Sequence, residues 1–292
     1  MRTTAAVMGL TILALGLGLP FVFAQVGSDE DALERARKLK DEIAKNLSIR
    51  LATQESAHFL IHSDTPSRER AQVLKAAESV YKKLDGIFHM PKGTKLWQGK
   101  YVILLFKDRQ EFENYCYKVR DMQGELAGAI GTTFAPGVIG CIVNSEPGQF
   151  SDHTRSFYFF LSTTFLDEFR PGKKLPPWVH MGFSTYCRNT LGRDRDGANF
   201  QRRVVKHAIK QGDWRDLNTI RNTKDWPPSD REGRGLCFSL TDYMISLGQK
   251  KFVQFVERLK EGATESEAIQ DAFGMRAPEF EIGWLAFIER KY

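Results

Sequence analysis

The chain holds only four cysteines in 292 residues, and no two of them form a CxxC pair. That gap removes zinc ribbons and thioredoxin-type redox chemistry from consideration. Ser184 is not in a GxSxG elbow, and the glycines from Gly128 to Gly140 form neither a GxGxxG nor a GK(S/T) loop. Elbow-type hydrolysis and phosphate cradling therefore have no motif to rest on. Beyond residue 24 no apolar run is long enough to span a bilayer, and there is no internal repeat or low-complexity segment. Dense charge runs are missing too: the net charge of +6 comes from Lys and Arg scattered among acids. Such a surface predicts ordinary solvation, with weak attraction to an anionic polymer as the sharper reading and no specific nucleic-acid binding.

What is present begins with an export signal. Arg2 supplies a small positive region, Ala5 to Phe23 is uncharged and mostly apolar, and Pro20 precedes the small-residue pattern Val22-Phe23-Ala24. Residues 1–24 read as a signal peptide, with a retained membrane anchor as the rival. The expected location is exported, periplasmic or secreted. In that setting Cys116, Cys141, Cys187 and Cys237 form an even set that can pair in three ways, predicting one or two disulfides, with buried free thiols as the alternative.

Residues 25–56 read as an N-terminal helical segment, with Leu33, Ala36, Leu39, Ile43 and Leu47 of Asp29–Leu47 on one face. Residues 57–292 read as one domain. Its first half alternates strand and helix: a strand over Ala57–His62, an amphipathic helix over Ser67–Met90, a buried strand over Tyr101–Phe106, a short helix over Gln110–Val119 and a hairpin around Pro136-Gly137. On a strand, His58 and His62 share a face but have no acid beside them, which argues against a metal pair. The second half is nearly all helical, with helices over Asn199–Gln211, Leu236–Leu247 and Gln249–Glu261, a capping box at Thr264/Glu267 and a last helix opening at Pro278. Trp214 to Gly235, including Trp226, reads as a long loop of the kind that lines functional faces.

The centre of the chain is Thr154 to Tyr186: a buried helix, a basic loop with Pro176-Pro177, and a second helix opening at Trp178. A zincin needs two imidazoles four residues apart on one helix and a glutamate beside the first to activate water. It also needs a third ligand from a following helix and an open fourth position. The stretch Pro176-Pro177-Trp178-Val179-His180-Met181-Gly182-Phe183-Ser184-Thr185-Tyr186 resembles the P-x-W-L-x-E-G-x-A-x-Y segment of gluzincin-type bacterial peptidases of the peptidase MA-like (DUF1570-like) kind. Ser239 to Met244, Lys251-Phe252 and Ala268-Ile269 through Phe273-Gly274 resemble that group's closing helices. The resemblance implies an α+β, thermolysin-like zincin fold, with a small mixed sheet and helices first and a helical second half.

The resemblance also implies zinc, and here the sequence departs from it. Aligned on the HExxH helix, Phe160 and Thr164 stand at the two histidines, Leu161 at the catalytic glutamate and Met181 at the third ligand. No His or Glu occurs anywhere from Thr154 through Leu166. A phenyl ring cannot ligate zinc, a leucine cannot take a proton, and a thioether is a poor zinc ligand here. The expectation is a pseudo-metallopeptidase with no cofactor and no catalytic residues. It would bind a peptide, protein or envelope polymer through the former cleft, which Trp178, His180, Tyr186 and Trp226 are expected to line. Two rivals stand beside it: a hydrolase rebuilt around His153, His180 and Asp167 or Glu168, and a structural envelope protein.

Overall fold

The computed structural model describes residues 28–91, 93–97, 99–119, 131–134, 139–143, 150–170, 172–212, 214–224 and 230–292. The expected export segment 1–24, the hairpin tip Pro136-Gly137 and Trp226 lie outside the described residues.

Five strands, β1 (Ala52–Glu55), β2 (Phe59–Ser63), β3 (Tyr101–Phe106), β4 (Gly131–Phe134) and β5 (Ile139–Val143), form one sheet in the order β1-β2-β3-β5-β4. The three inner strands run parallel, and β1 and β4 close the edges antiparallel. Strand β3 shows why the sequence picks this geometry. Tyr101, Ile103 and Leu105 join the main core while Val102, Leu104 and Phe106 join a smaller core on the opposite face. A strand buried on both sides needs a continuous apolar run, and YVILLF supplies one.

Helix α1 (Asp29–Leu47) covers the smaller face with Ala36 and Ile43. Its start is fixed by a capping box in which the Asp31 N–H donates to Ser28 Oγ and the Ser28 N–H to the Asp31 carboxylate. Helix α2 (Ser67–Phe88), the crossover between β2 and β3, buries Val73, Leu74, Ala77, Tyr81 and Leu84 on the main face. Helix α3 (Arg109–Asn114) runs on into a π-helical turn at Tyr115–Val119.

The helical half comprises α4 (Phe150–Glu168), α5 (Pro177–Tyr186), α6 (Arg195–Gln211), α7 (Leu217–Asn222), α8 (Arg231–Leu247), α9 (Gln249–Glu261), α10 (Glu265–Phe273) and α11 (Ala277–Lys291). A π-helical turn, Cys187–Leu191, extends α5. Helices α5 and α8 cross so closely that a Cβ on Gly182 would lie 2.4 Å from the Cys237 carbonyl oxygen and 2.5 Å from Thr241 Oγ1. Together these residues make an α+β protein. Among the described residues no helix is long and apolar enough to cross a membrane.

Three expectations need correction. The 25–56 segment is not only helical, because Ala52–Glu55 pairs with β2 as an edge strand. Its sequence, ATQE, is mostly exposed and shows no apolar alternation to reveal it. The 214–235 loop is shorter than it reads, since α7 interrupts it and α8 starts at Arg231. Asp230 caps α8 by accepting from the Gly233 N–H, and Asp194 caps α6 from the Gly197 N–H, so both helices begin earlier than their apolar spacing indicates. Finally, Cys187 and Cys237 are buried free thiols, which excludes a two-disulfide framework.

Candidate functional site

Helices α4 and α5 lie against one another, and the hydroxyls of Thr163 and Ser184 hydrogen-bond across the contact at 2.7 Å. Around this junction Leu161 is buried, with 1% of its surface exposed, among Phe157, Phe165 and Phe183. Phe160, Thr164 and Met181 are half-buried. The polar atoms of this set are already engaged: Thr164 donates back to the Phe160 carbonyl at 3.3 Å, and the Met181 sulfur accepts from Thr185 Oγ1 at 3.7 Å. The residues at these four positions do not fit zinc. They offer one thioether and one hydroxyl in place of two imidazoles and a carboxylate. Among the described residues no group of three or more His, Cys, Asp or Glu is arranged to hold a metal ion.

The expected cleft residues turn elsewhere. Trp178 is buried against Phe255 and donates its indole N–H to Glu265 Oε2 at 3.1 Å. Tyr186 is buried beside Phe238, and that burial, with Asp242 nearby, pushes its hydroxyl up to about 12. Both side chains belong to the core because the helices after α5 close over them.

His180 does find a partner. Its Nε2 lies 3.2 Å from Asp167 Oδ1 at the end of α4. Lys260 of α9 joins this cluster from the buried side by donating from Nζ to the Asp167 carbonyl at 2.7 Å, while the Asp167 side chain stays half exposed. Burial holds the His180 imidazole below its usual range; Asp167 opposes that shift and Lys260 adds to it. Lys260 is likewise held down by burial, against the pull of Asp167 and Glu168. Of the rebuilt site, only the His180–Asp167 pair therefore assembles. His153 lies inside the first turn of α4 rather than before it. At about 1.5 Å per residue its backbone is roughly 21 Å from Asp167.

The other imidazoles serve the sheet. His58 precedes β2, stacks on Tyr81 at 3.8 Å between ring centroids, and contacts the Glu78 carboxylate at 2.7 Å. His62 turns to the opposite face, where its Nε2 meets the Ala36 carbonyl at 3.0 Å and its Nδ1 meets Thr53 Oγ1 at 2.9 Å. They do not share a face, because β2 begins only at Phe59.

The open feature of this region lies at the C-terminal end of α5 and its π-helical extension. A cleft of about 330 Å³ is walled by Phe159 of α4, Thr185 of α5, Arg188 of its extension, Phe200 and Gln201 of α6, and Arg234 of α8. Asn189, Asp194, Asp196 and Gly197 complete it. It is polar, not apolar. Arg188 Nε, Asn189 Nδ2 and Gln201 Oε1 are buried there without a hydrogen-bond partner among the described residues. Burial and the neighbouring Arg188 charge hold the Arg234 guanidinium below its usual range. None of these polar residues stands out by sequence motif. The available signals were the charged run Arg193-Asp194-Arg195-Asp196-Gly197 and the matching Asp230-Arg231-Glu232-Gly233, each a helix start.

No family model matches this chain, and no curated protein matches it.

Proposed function

We propose that the protein is an exported, non-catalytic binding module built on a gluzincin-like zincin fold, a pseudo-metallopeptidase whose ligand cleft has outlived its metal chemistry. One observation carries the reading. The α4–α5 junction is held by the Thr163–Ser184 hydrogen bond and apolar packing, while the four positions of the zinc machinery carry Phe160, Leu161, Thr164 and Met181. A small mixed sheet with helices, a long helix and a Pro-Trp-opened partner helix are the features the resemblance implies, and they support the reading. An open cleft beside that partner helix supports binding over a purely structural role in the envelope. The occupant expected from the resemblance is a peptide, protein or envelope polymer.

The Asp167–His180 pair favours a second reading, a hydrolase with a rebuilt site, because a carboxylate-oriented imidazole is a general-base arrangement. Against it, His180 is largely buried and the neighbouring Lys260 charge opposes its protonation. Turnover of a quenched fluorescent peptide library and of casein, with and without added zinc, separates the two. The binding reading predicts none above the buffer rate. Turnover that disappears in His180→Ala would overturn it in favour of the hydrolase.

A further inference from the structure

The polar atoms around the cleft beside α5 are out of balance. Asp230, four residues before Arg234, is committed to Arg215 through two contacts of 2.6 and 3.2 Å, and its Oδ1 also accepts the Gly233 N–H. Arg234 makes no side-chain hydrogen bond or ion pair among the described residues. Arg188 Nε stands 3.8 Å from Asp194 Oδ2, beyond hydrogen-bond reach, and Asp194 spends its Oδ1 on the Gly197 N–H. Asn189 adds a donor, Nδ2, that is buried and unpartnered on a residue only 4% exposed.

Orphaned buried donors are costly, and the Arg188 and Arg234 charges repel one another although Asp194 stands 3.8 Å from Arg188 Nε. A fold retains such a set where something else completes it. Guanidinium forks match planar two-oxygen groups. Asp194 and Asp196 on the same rim disfavour a dianion, which leaves a carboxylate as the better fit than a phosphate. Gln201 Oε1 faces the same space as an unpartnered acceptor, so the ligand should carry an N–H or O–H donor near its carboxylate. Phe159 and Phe200 supply apolar walls for the rest of it. Gly197 keeps the floor open: a Cβ there would lie 2.7 Å from Asn189 Oδ1 and 2.8 Å from Asp194 Oδ2.

We infer that this cleft is a carboxylate-binding site, in which Arg188, Arg234 and Asn189 take the carboxylate of a small N-acylated amino acid or of a peptide's C-terminal residue and Gln201 takes the adjacent N–H. The inference rests on the binding-module reading and gives it a ligand class. The size of the cleft, near the lower end for small-molecule pockets, suits one residue better than a long polymer segment.

The test is a titration followed by nitrogen-15 NMR of the arginine Nε–H and Asn189 side-chain signals, using the full-length purified protein. Four probes are compared: N-acetylglycine, its neutral amide, an N-acetylated tetra-alanine with a free C-terminus, and inorganic phosphate. Saturable shifts at Arg188, Arg234 and Asn189 are expected with the two carboxylates and not with the amide. Tighter binding of the peptide assigns a peptide terminus, and equal binding assigns a small acid. Arg234→Gln should weaken the carboxylates at least tenfold and leave the melting temperature without ligand unchanged or higher, because the side chain it removes has no partner. Arg188→Gln should weaken them similarly. Equal response to acid and amide, no saturable response, tighter binding of phosphate, or full binding by Arg234→Gln would each overturn the assignment. A failure here leaves the binding-module reading standing, since that reading falls on peptide turnover or tightly held zinc.

Discussion

Helix α5 has two polar flanks, and they are built on opposite plans. On one, His180 and Lys260 pack against a half-exposed Asp167, and the ammonium that would be costly alone has a carbonyl and a neighbouring carboxylate. On the other, Arg188, Asn189 and Arg234 face an open cleft with their donors unspent. The first flank resembles a catalytic cluster by residue type and is the more closed of the two, with His180 largely buried and Asp167 half exposed. The second is built from arginines, amides and two aspartates without a histidine, and it has room for a ligand. Residue chemistry alone points to the first flank; the balance of donors against acceptors, combined with access, points to the second.

The wall between the flanks depends on Gly182. Gly182→Val should destabilise the protein by about 3 kcal/mol or more, because the new side chain meets the α8 backbone, which cannot rotate away. Chemical denaturation reads this, and a loss below about 1 kcal/mol would mean that α5 and α8 are not so closely packed. The closed flank should also report itself through pH. His180 is held below its usual range by burial, so the unfolded chain binds the proton more readily, and stability falls as pH drops below 6.5. His180→Gln should remove part of that slope, at most about 1.4 kcal/mol per pH unit for one proton. His62, whose pKa burial pushes down to about 4, contributes a slope of the same sign, so the effect is read as the difference between variant and parent. An unchanged slope in His180→Gln would show that the imidazole is not sealed.

Smaller effects sharpen the contrast. Thr163→Val removes the α4–α5 hydroxyl contact and should cost about 1 kcal/mol. On the open flank, Arg234→Gln should shift unfolding by no more than about 0.5 kcal/mol in the absence of ligand, since no partner is lost. A loss of 2 kcal/mol or more, well beyond that range, would reveal a structural role for Arg234 and erase the difference between the flanks.

Much of the scaffold was legible from the sequence because the local signals agree with the fold. Asp29–Leu47, Tyr101–Phe106 and Gln249–Glu261 form as their apolar spacing predicts, and the Thr264/Glu267 capping box forms as spaced. Strand β1 escaped because an edge strand facing solvent needs no apolar alternation, and the starts of α6 and α8 escaped because aspartate caps, not apolar residues, set them. The site was harder to read. Trp178 and Tyr186 look like cleft residues by type, yet later helices bury them, which no local pattern records. The cleft residues themselves come from α4, the extension of α5, α6 and α8, so they gather only in three dimensions.

The account turns on the claim that a zincin-like helix pair persists here without its metal. The direct measurement is the metal content of the purified protein together with an equilibrium zinc titration. The account predicts no zinc on the isolated chain and no stoichiometric binding on titration. One tightly held zinc per chain, lost in His180→Ala, would contradict it and move the chemistry to the closed flank of α5.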